Sequence, residues 1–261
     1  MTPLDMLLIG AGGFAAGAVN SMAGGGTFFS FPAMLAVGLP PVVANASNSV
    51  ALWPGSLTGA WAYRLELARY KRYLLPMGIA SFIGGAGGGL LLLAAGDARF
   101  AALIPWLLAF ATLLFAFSPQ LSAALRRMRP PPAAGSGAGH GAGSPVGWLV
   151  QFLVSIYGGF FGAGMGILMM ASLAIGGHED VQHINALKNL LSAVIYSITV
   201  MTFIIAGAVS WPHTLIMLVT ASLGGYWGAS VARKIRGPWL RRMVILVGSG
   251  LTAYYFYKTL G

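Results

Sequence analysis

Cysteine is absent from the 261 residues. That excludes disulfides, thiolate metal sites and any relay through a covalent cysteine adduct. Acidic residues are almost as scarce: Asp5, Glu66, Asp97, Glu179 and Asp180 are all there are, and each sits in a loop or at the edge of an apolar run. Charged residues make up 8% of the chain, where an ordinary soluble domain carries roughly a quarter. With no His, Asp or Glu cluster inside the apolar runs, the nucleophile, base and metal set that an enzyme needs is missing. No catalytic residue, cofactor or metal is therefore expected, and His140 has no second ligand nearby. The opening Met1-Thr2-Pro3-Leu4-Asp5 lacks a basic n-region and does not read as a secretory signal peptide.

What the chain does have is apolar length. Hydrophobic residues make up 57% and the mean hydropathy is +0.79. Met6 to Tyr63, Leu74 to Gly96, Phe100 to Leu125 and Asn189 to Ala232 contain no Asp, Glu, Lys or Arg. Each is long enough for at least one helix across a hydrocarbon core of about 30 Å. The runs are continuous, so alternating barrel strands are excluded. The fold expected is an all-α polytopic membrane protein. A net charge of +10 would suggest nucleic acid for a soluble protein. Here the basic residues lie between apolar runs and set membrane orientation instead. The partners expected are the lipid bilayer and a small ligand, with a homodimer possible and no nucleic acid.

The chain divides in two. In the first half, Leu4 to Val19 is apolar and breaks at Asn20-Ser21-Met22-Ala23-Gly24-Gly25-Gly26-Thr27, since three glycines in a row do not sustain a helix. Phe28 to Val37 resumes and ends at Gly38-Leu39-Pro40-Pro41. Each piece is short for a span, so the two read as a broken or re-entrant pair. Helices follow over Asn45 to Tyr63, with a kink at Pro54-Gly55, over Leu74 to Gly96 and over Phe100 to Leu125. Asp97 and Arg99 form the turn between the last two. The glycines of 84–89 read as a close helix-packing surface. Residues 130–145, rich in Pro, Gly, Ala and Ser, read as a flexible cytoplasmic linker between an N-terminal repeat, 1–129, and a C-terminal repeat, 146–261. The second half repeats the plan: an apolar Val146 to Phe161, a break across Gly158 to Gly166, a short Ile167 to Ile175, a helix starting at Asn185, a Trp211-Pro212-His213 turn, a helix over Thr214 to Ala232 and a last one over Trp239 to Tyr257. Tyr254 to Tyr257 has the make-up of an interfacial aromatic belt.

With an offset near 140, Ala23 to Thr27 falls on Gly162 to Gly166, and Asn45-Ala46-Ser47-Asn48-Ser49 falls on Asn185-Ala186-Leu187-Lys188-Asn189. Three basic clusters (Arg64 to Arg72, Arg126 to Arg129, Arg233 to Arg242) hold 12 of the 15 Lys and Arg residues and are assigned to the cytoplasm. Each half then contains a broken pair and three spanning helices, an odd number, so the halves form two inverted-topology repeats. In that architecture a substrate binds near the midplane where the repeats meet. The substrate-binding set expected there is Asn20, Ser21, Gly24, Gly25, Gly26, Asn45, Asn48, Ser49, Gly162, Gly164, Gly166, Asn185, Lys188 and Asn189. Lys188 stands out, because it is the one Lys or Arg placed inside an apolar run. A charge at that depth costs roughly 2.5 kcal/mol or more. Two readings offset the cost: the side chain snorkels to the surface, or it binds an anion with Asn48 opposite it from the other half. With donors, one cation and no carboxylate, the set favours a small anion. Coupling would then run through the substrate's own proton, Lys188, or His178 or His183, or be absent.

The glycine-rich break leading to Phe31-Pro32-Ala33-Met34-Leu35, the Asn-Ala helix starts and the duplicated glycine segment resemble the TauE/SafE family of sulfite and organosulfonate exporters. The resemblance covers both halves and leaves out the linker. It implies a multi-pass transporter of the bacterial inner membrane that exports sulfite, sulfoacetate or similar sulfur oxyanions. An anion channel using the same donors is the alternative.

Overall fold

The computed structural model describes residues 1–23, 25–64, 71–127, 145–175, 181–232 and 237–260. Outside them lie Gly24, Glu66, Arg69, Arg129, the linker with His140, His178, Glu179, Asp180, Arg233, Lys234 and Arg236. The described residues are helical throughout, with short turns between. In order they form α1 (Pro3–Ala23), α2 (Thr27–Ala36), α3 (Pro41–Ala62), α4 (Lys71–Arg127), α5 (Pro145–Phe160), α6 (Met165–Ile175), α7 (Val181–Ile205), α8 (Trp211–Ala232) and α9 (Gly237–Leu260).

Among the described residues, three stretches are long and apolar enough to cross a membrane: Pro3–Ser21, Leu74–Gln120 and Ile184–Ile205. Leu74–Gln120 has 47 residues, about 70 Å as one straight helix at 1.5 Å per residue, more than twice a hydrocarbon core. Gly96 interrupts it with φ 69° and ψ 172°, a left-handed φ that a β-carbon would penalise. The expected break between two helices therefore falls on Gly96 itself. Burial is inside-out relative to a soluble protein. Leu7, Leu75, Phe82, Leu91, Trp106, Leu223 and Leu246 are exposed, whereas Ser30, Asn45, Ser47, Ser81, Gln151 and Thr214 are buried. Apolar side chains face lipid and the polar ones are paired or collected within. This is a multi-pass, all-α membrane protein.

Several boundaries differ from the sequence expectation. α1 continues through Asn20 and Ser21 to Ala23, so it is long enough to cross, and only Gly24 to Gly26 separate it from α2. Gly26 has helical dihedrals, φ −55° and ψ −40°. It is glycine for want of space, since a β-carbon there would stand 2.7 Å from the Ala16 carbonyl oxygen. α3 opens at Pro41, a full turn before Asn45, because proline's fixed φ suits a first helical position. The Asp97 carboxylate accepts the Val42 N–H at 2.8 Å and so caps that helix from 55 residues away, an anion at the positive end of the dipole. Trp211, Pro212 and His213 open α8 instead of forming a turn, with the Ser210 hydroxyl and His213 Nδ1 2.7 Å apart.

The helices of one half pack on those of the other in reciprocal fashion. α1 lies parallel to α8: Gly13 faces Met217 and Thr220, Gly17 faces Ala221, Gly224 faces Phe14 and Gly228 faces Ala18. The first arm of α4 lies parallel to α5: Gly84 faces Phe152 and Ser155, Gly85 faces Gly159, and Gly88 faces Ile156. A β-carbon on Gly84 would stand 2.6 Å from the Phe152 carbonyl oxygen, so the glycine run serves backbone-to-backbone packing, as its spacing indicated. α3 and α7 run antiparallel. The Ser210 N–H beyond the end of α7 reaches the Ser47 hydroxyl at 2.9 Å, Trp53 Nε1 donates to the Ser197 hydroxyl at 2.9 Å, and Gly59 lies beside Asn189. α9 closes against the second arm of α4, where Trp106 meets Phe256 edge-on at 5.0 Å and Arg241 donates to the carbonyls of Phe115 and Ala116. Pro119 has no N–H for the Phe115 carbonyl four residues back, which accepts from Arg241 and from the Ser118 hydroxyl at 3.1 Å instead.

Candidate functional site

The second glycine break is the most informative. α5 stops at Phe160 and α6 starts at Met165. Between them Gly162 (φ 80°) and Gly164 (φ 76°) are left-handed, which only glycine adopts without strain. The turn is pinned at both ends. The Tyr157 carbonyl accepts the N–H groups of Phe161 at 2.9 Å and Gly162 at 3.1 Å, and the Tyr157 hydroxyl donates to the Ala163 carbonyl at 2.6 Å. The N–H of Met165 closes on Gly162 and that of Ile167 on Gly164. The N–H groups of Gly164 and Gly166 find no acceptor among the described residues. They are the orphan donors of a helix start, where the dipole is positive.

Lys188 comes to that helix start. Its Cδ lies 3.6 Å from where a β-carbon on Gly166 would be, and Nζ is two bonds further on. The side chain is half-buried and makes no hydrogen bond or ion pair among the described residues. A cation and a helix N-terminus repel each other, so their meeting calls for an anion between them. Asn48 is not opposite. Because α3 and α7 are antiparallel, Lys188 is level with the Gly59 end of α3, about 17 Å along the helix from Asn48 at 1.5 Å per residue.

The two breaks meet at Tyr196. Its hydroxyl stands 3.3 Å from where a Gly162 β-carbon would be, and the Thr27 side chain, at the start of α2, lies near it. One ring pair joins the same two segments, and two more tie them to α4. Phe31 of α2 meets Phe161 edge-on at 5.5 Å, Phe100 meets Phe160 at 5.5 Å, and Phe28 meets Phe115 at 5.6 Å.

The other expected residues divide. Gly25 and Gly26 are buried at the first break, Gly25 against Phe115 and Val244. Asn20 and Ser21 are exposed at the end of α1, and the Ser21 hydroxyl donates to its own Ala18 carbonyl. The Ser49 hydroxyl donates to the Asn45 carbonyl at 2.9 Å and offers nothing to a ligand. Asn45 Nδ2 caps the end of α5, donating to the Phe160 carbonyl at 3.0 Å. The free atoms left on Asn45 and Asn48 include two buried amide oxygens with no donor. Asn185 is half-buried, and Asn189 packs against Gly59. Thr27 and Tyr196 were missed, because a threonine after glycines and a tyrosine in an apolar run look like ordinary core residues. The aromatic hydroxyl eight positions after Lys188 on the same helix was the available signal.

The profile of the sulfite exporter TauE/SafE family matches residues 9–255. The chain belongs to the TauE/SafE family. It is similar to a probable membrane transporter protein of Haemophilus influenzae, at 27% identity over 94% of this chain and 92% of that one. It is also similar to the probable membrane transporter proteins YfcA of Escherichia coli K12, at 26% over 94% and 87%, and ORF9 of Sinorhizobium, at 25% over 91% and 87%. This TauE/SafE chain is thus a membrane transporter rather than an enzyme.

Proposed function

We propose that the protein exports a small sulfur oxyanion, sulfite or an organosulfonate such as sulfoacetate, across the bacterial inner membrane. The observation that carries the reading is the approach of unpartnered Lys188 to the first turn of α6. Three negatively polarised oxygens on a sulfite or sulfonate match one ammonium group and the free N–H groups of Gly164 and Gly166. Thr27 and Tyr196 add hydroxyls beside Gly162. Asn45, expected to donate to the anion, gives its Nδ2 to the Phe160 carbonyl instead, and Asn48, about 17 Å along α3 from the level of Lys188, is left out of its shell. The antiparallel packing of α3 on α7, which hold equivalent places in the two halves, supports the inverted repeat. So does the reciprocal pairing of α1 with α8 and α4 with α5. The Phe31–Phe161 ring pair between the breaks favours a carrier that alternates over an open anion channel.

The decisive measurement is flux from proteoliposomes loaded with sulfite, sulfoacetate, sulfate or acetate. Saturable efflux of sulfite or sulfoacetate with counterflow is expected. Unitary conductance steps would establish the channel, and acetate efflux equal to sulfite efflux would remove the sulfur preference.

A further inference from the structure

We propose that the C-terminal end of α5 and the Asn45–Asn48 face of α3 together bind a monovalent cation, the coupling ion of the transport cycle. The proposal rests on the transport reading of the break region. Asn45 is 1% exposed, and because its Nδ2 donates to the Phe160 carbonyl, its other amide atom is fixed as oxygen. That oxygen is buried with no donor. One turn on, Asn48 is 2% exposed and its Oδ1 is likewise buried without a donor. Native interiors rarely leave two such acceptors unmet side by side. The Ser49 hydroxyl, which could have served them, is committed to the Asn45 carbonyl.

The surroundings are of the same character. At the end of α5 the carbonyls of Gly158, Gly159 and Phe161 accept no hydrogen bond from the described residues. A helix C-terminus carries the negative pole of the dipole. Among the described residues the carboxylate nearest to this part of α3, Asp97, is held by the Val42 N–H at its start, and neutral oxygens suit Na⁺ or K⁺ rather than a divalent ion, which draws on carboxylates. The break is thus polarised. Its α5 end presents oxygens to a cation, and its α6 end presents N–H groups and Lys188 to an anion. A cation bound at the first would lower the cost of an anion bound at the second, which gives a chain without a membrane-embedded carboxylate a means of coupling.

The test uses the full-length protein in detergent with no sulfur anion present. Melting temperature is followed in NaCl, KCl and choline chloride at equal ionic strength. A saturable rise with Na⁺ or K⁺ over choline is expected. Asn48→Ala is expected to abolish that rise, and Asn48→Asp, which adds a carboxylate at the same place, to shift it to lower cation concentration. Asn48 carries the decision because Asn45 also caps α5. Equal melting in all three salts overturns the proposal and leaves water as the occupant. So does an undiminished response in Asn48→Ala. Sulfite binding measured in choline buffer reports on the anion end separately, so a failure there leaves the cation site standing.

Discussion

Lys188 and Gly166 are neighbours: a β-carbon built on the glycine would lie 3.6 Å from the lysine Cδ. This is ordinary van der Waals distance, so Gly166→Ala is expected to fold and to keep Lys188 in place. Gly166→Val adds branches where the lysine stem lies and is expected to displace it.

Lys188→Ala is expected to abolish sulfite or sulfonate efflux while the protein still elutes as a single folded species. Lys188→Met is expected to melt higher than the parent, by up to about 2.5 kcal/mol, because a charge without a partner leaves the apolar interior. Flux and melting temperature measured on the same preparations check both signs. Normal efflux by either variant would remove Lys188 from the mechanism.

Tyr196→Phe removes one hydroxyl from the place where Thr27 and Gly162 converge and leaves the ring. Folding is expected to be retained and anion affinity to fall about tenfold, the worth of a hydrogen bond to a charged group. Titration of sulfite against the protein's thermal stability reads it. An unchanged affinity would make the hydroxyl a structural tie between the breaks.

Gly17 and Gly224 are predicted to be irreplaceable. A β-carbon on Gly17 would strike the Ala221 backbone, and one on Gly224 the Phe14 carbonyl. Gly87 meets nothing within 4 Å, so Gly87→Ala is expected to stabilise by about 0.5–1 kcal/mol through helix propensity. Fluorescence-detected size exclusion after a heating series separates the outcomes: loss of the monodisperse peak for Gly17→Val and Gly224→Val, a small upward shift for Gly87→Ala.

Arg241 and Pro119 form a coupled pair. Arg241→Ala leaves the Phe115 carbonyl with the Ser118 hydroxyl alone and is expected to cost about 1 kcal/mol. Pro119→Ala restores a helical N–H for that carbonyl, so the cost of Arg241→Ala is expected to be smaller in the Pro119→Ala background. The residue of the cost belongs to the Ala116 carbonyl, which Arg241 also serves. A double-mutant cycle in melting temperature measures the difference. Strict additivity would mean that the guanidinium does not substitute for the missing N–H.

What the sequence disclosed depended on how local the cause was. The breaks at Gly24–Gly26 and Gly162–Gly166, the packing role of the 84–89 glycines and the oddity of Lys188 are written in residue type, and each could be read directly. The pairing of Lys188 with Asn48 was misread for a geometric reason. An alignment offset identifies equivalent positions, and when equivalent helices pack antiparallel, equivalent residues move apart along the axis. Asn45 capping Phe160 and Asp97 capping Val42 were out of reach because 115 and 55 residues separate the partners. No periodicity reports such a meeting. Tyr196 was hidden by its setting, since a hydroxyl two turns into an apolar run reveals its purpose only when two distant turns arrive beside it.

The exchange of first helices has a bearing on biosynthesis. α1 finds its glycine-to-backbone fit on α8, and α5 finds its own on the first arm of α4. As the ribosome delivers the chain into the bilayer, α5 meets its mate already inserted. α1 waits in lipid until the helices between it and α8 have been made. Its notched face stays unfilled through that interval, and the last helices to arrive, not the first, decide whether the assembly closes.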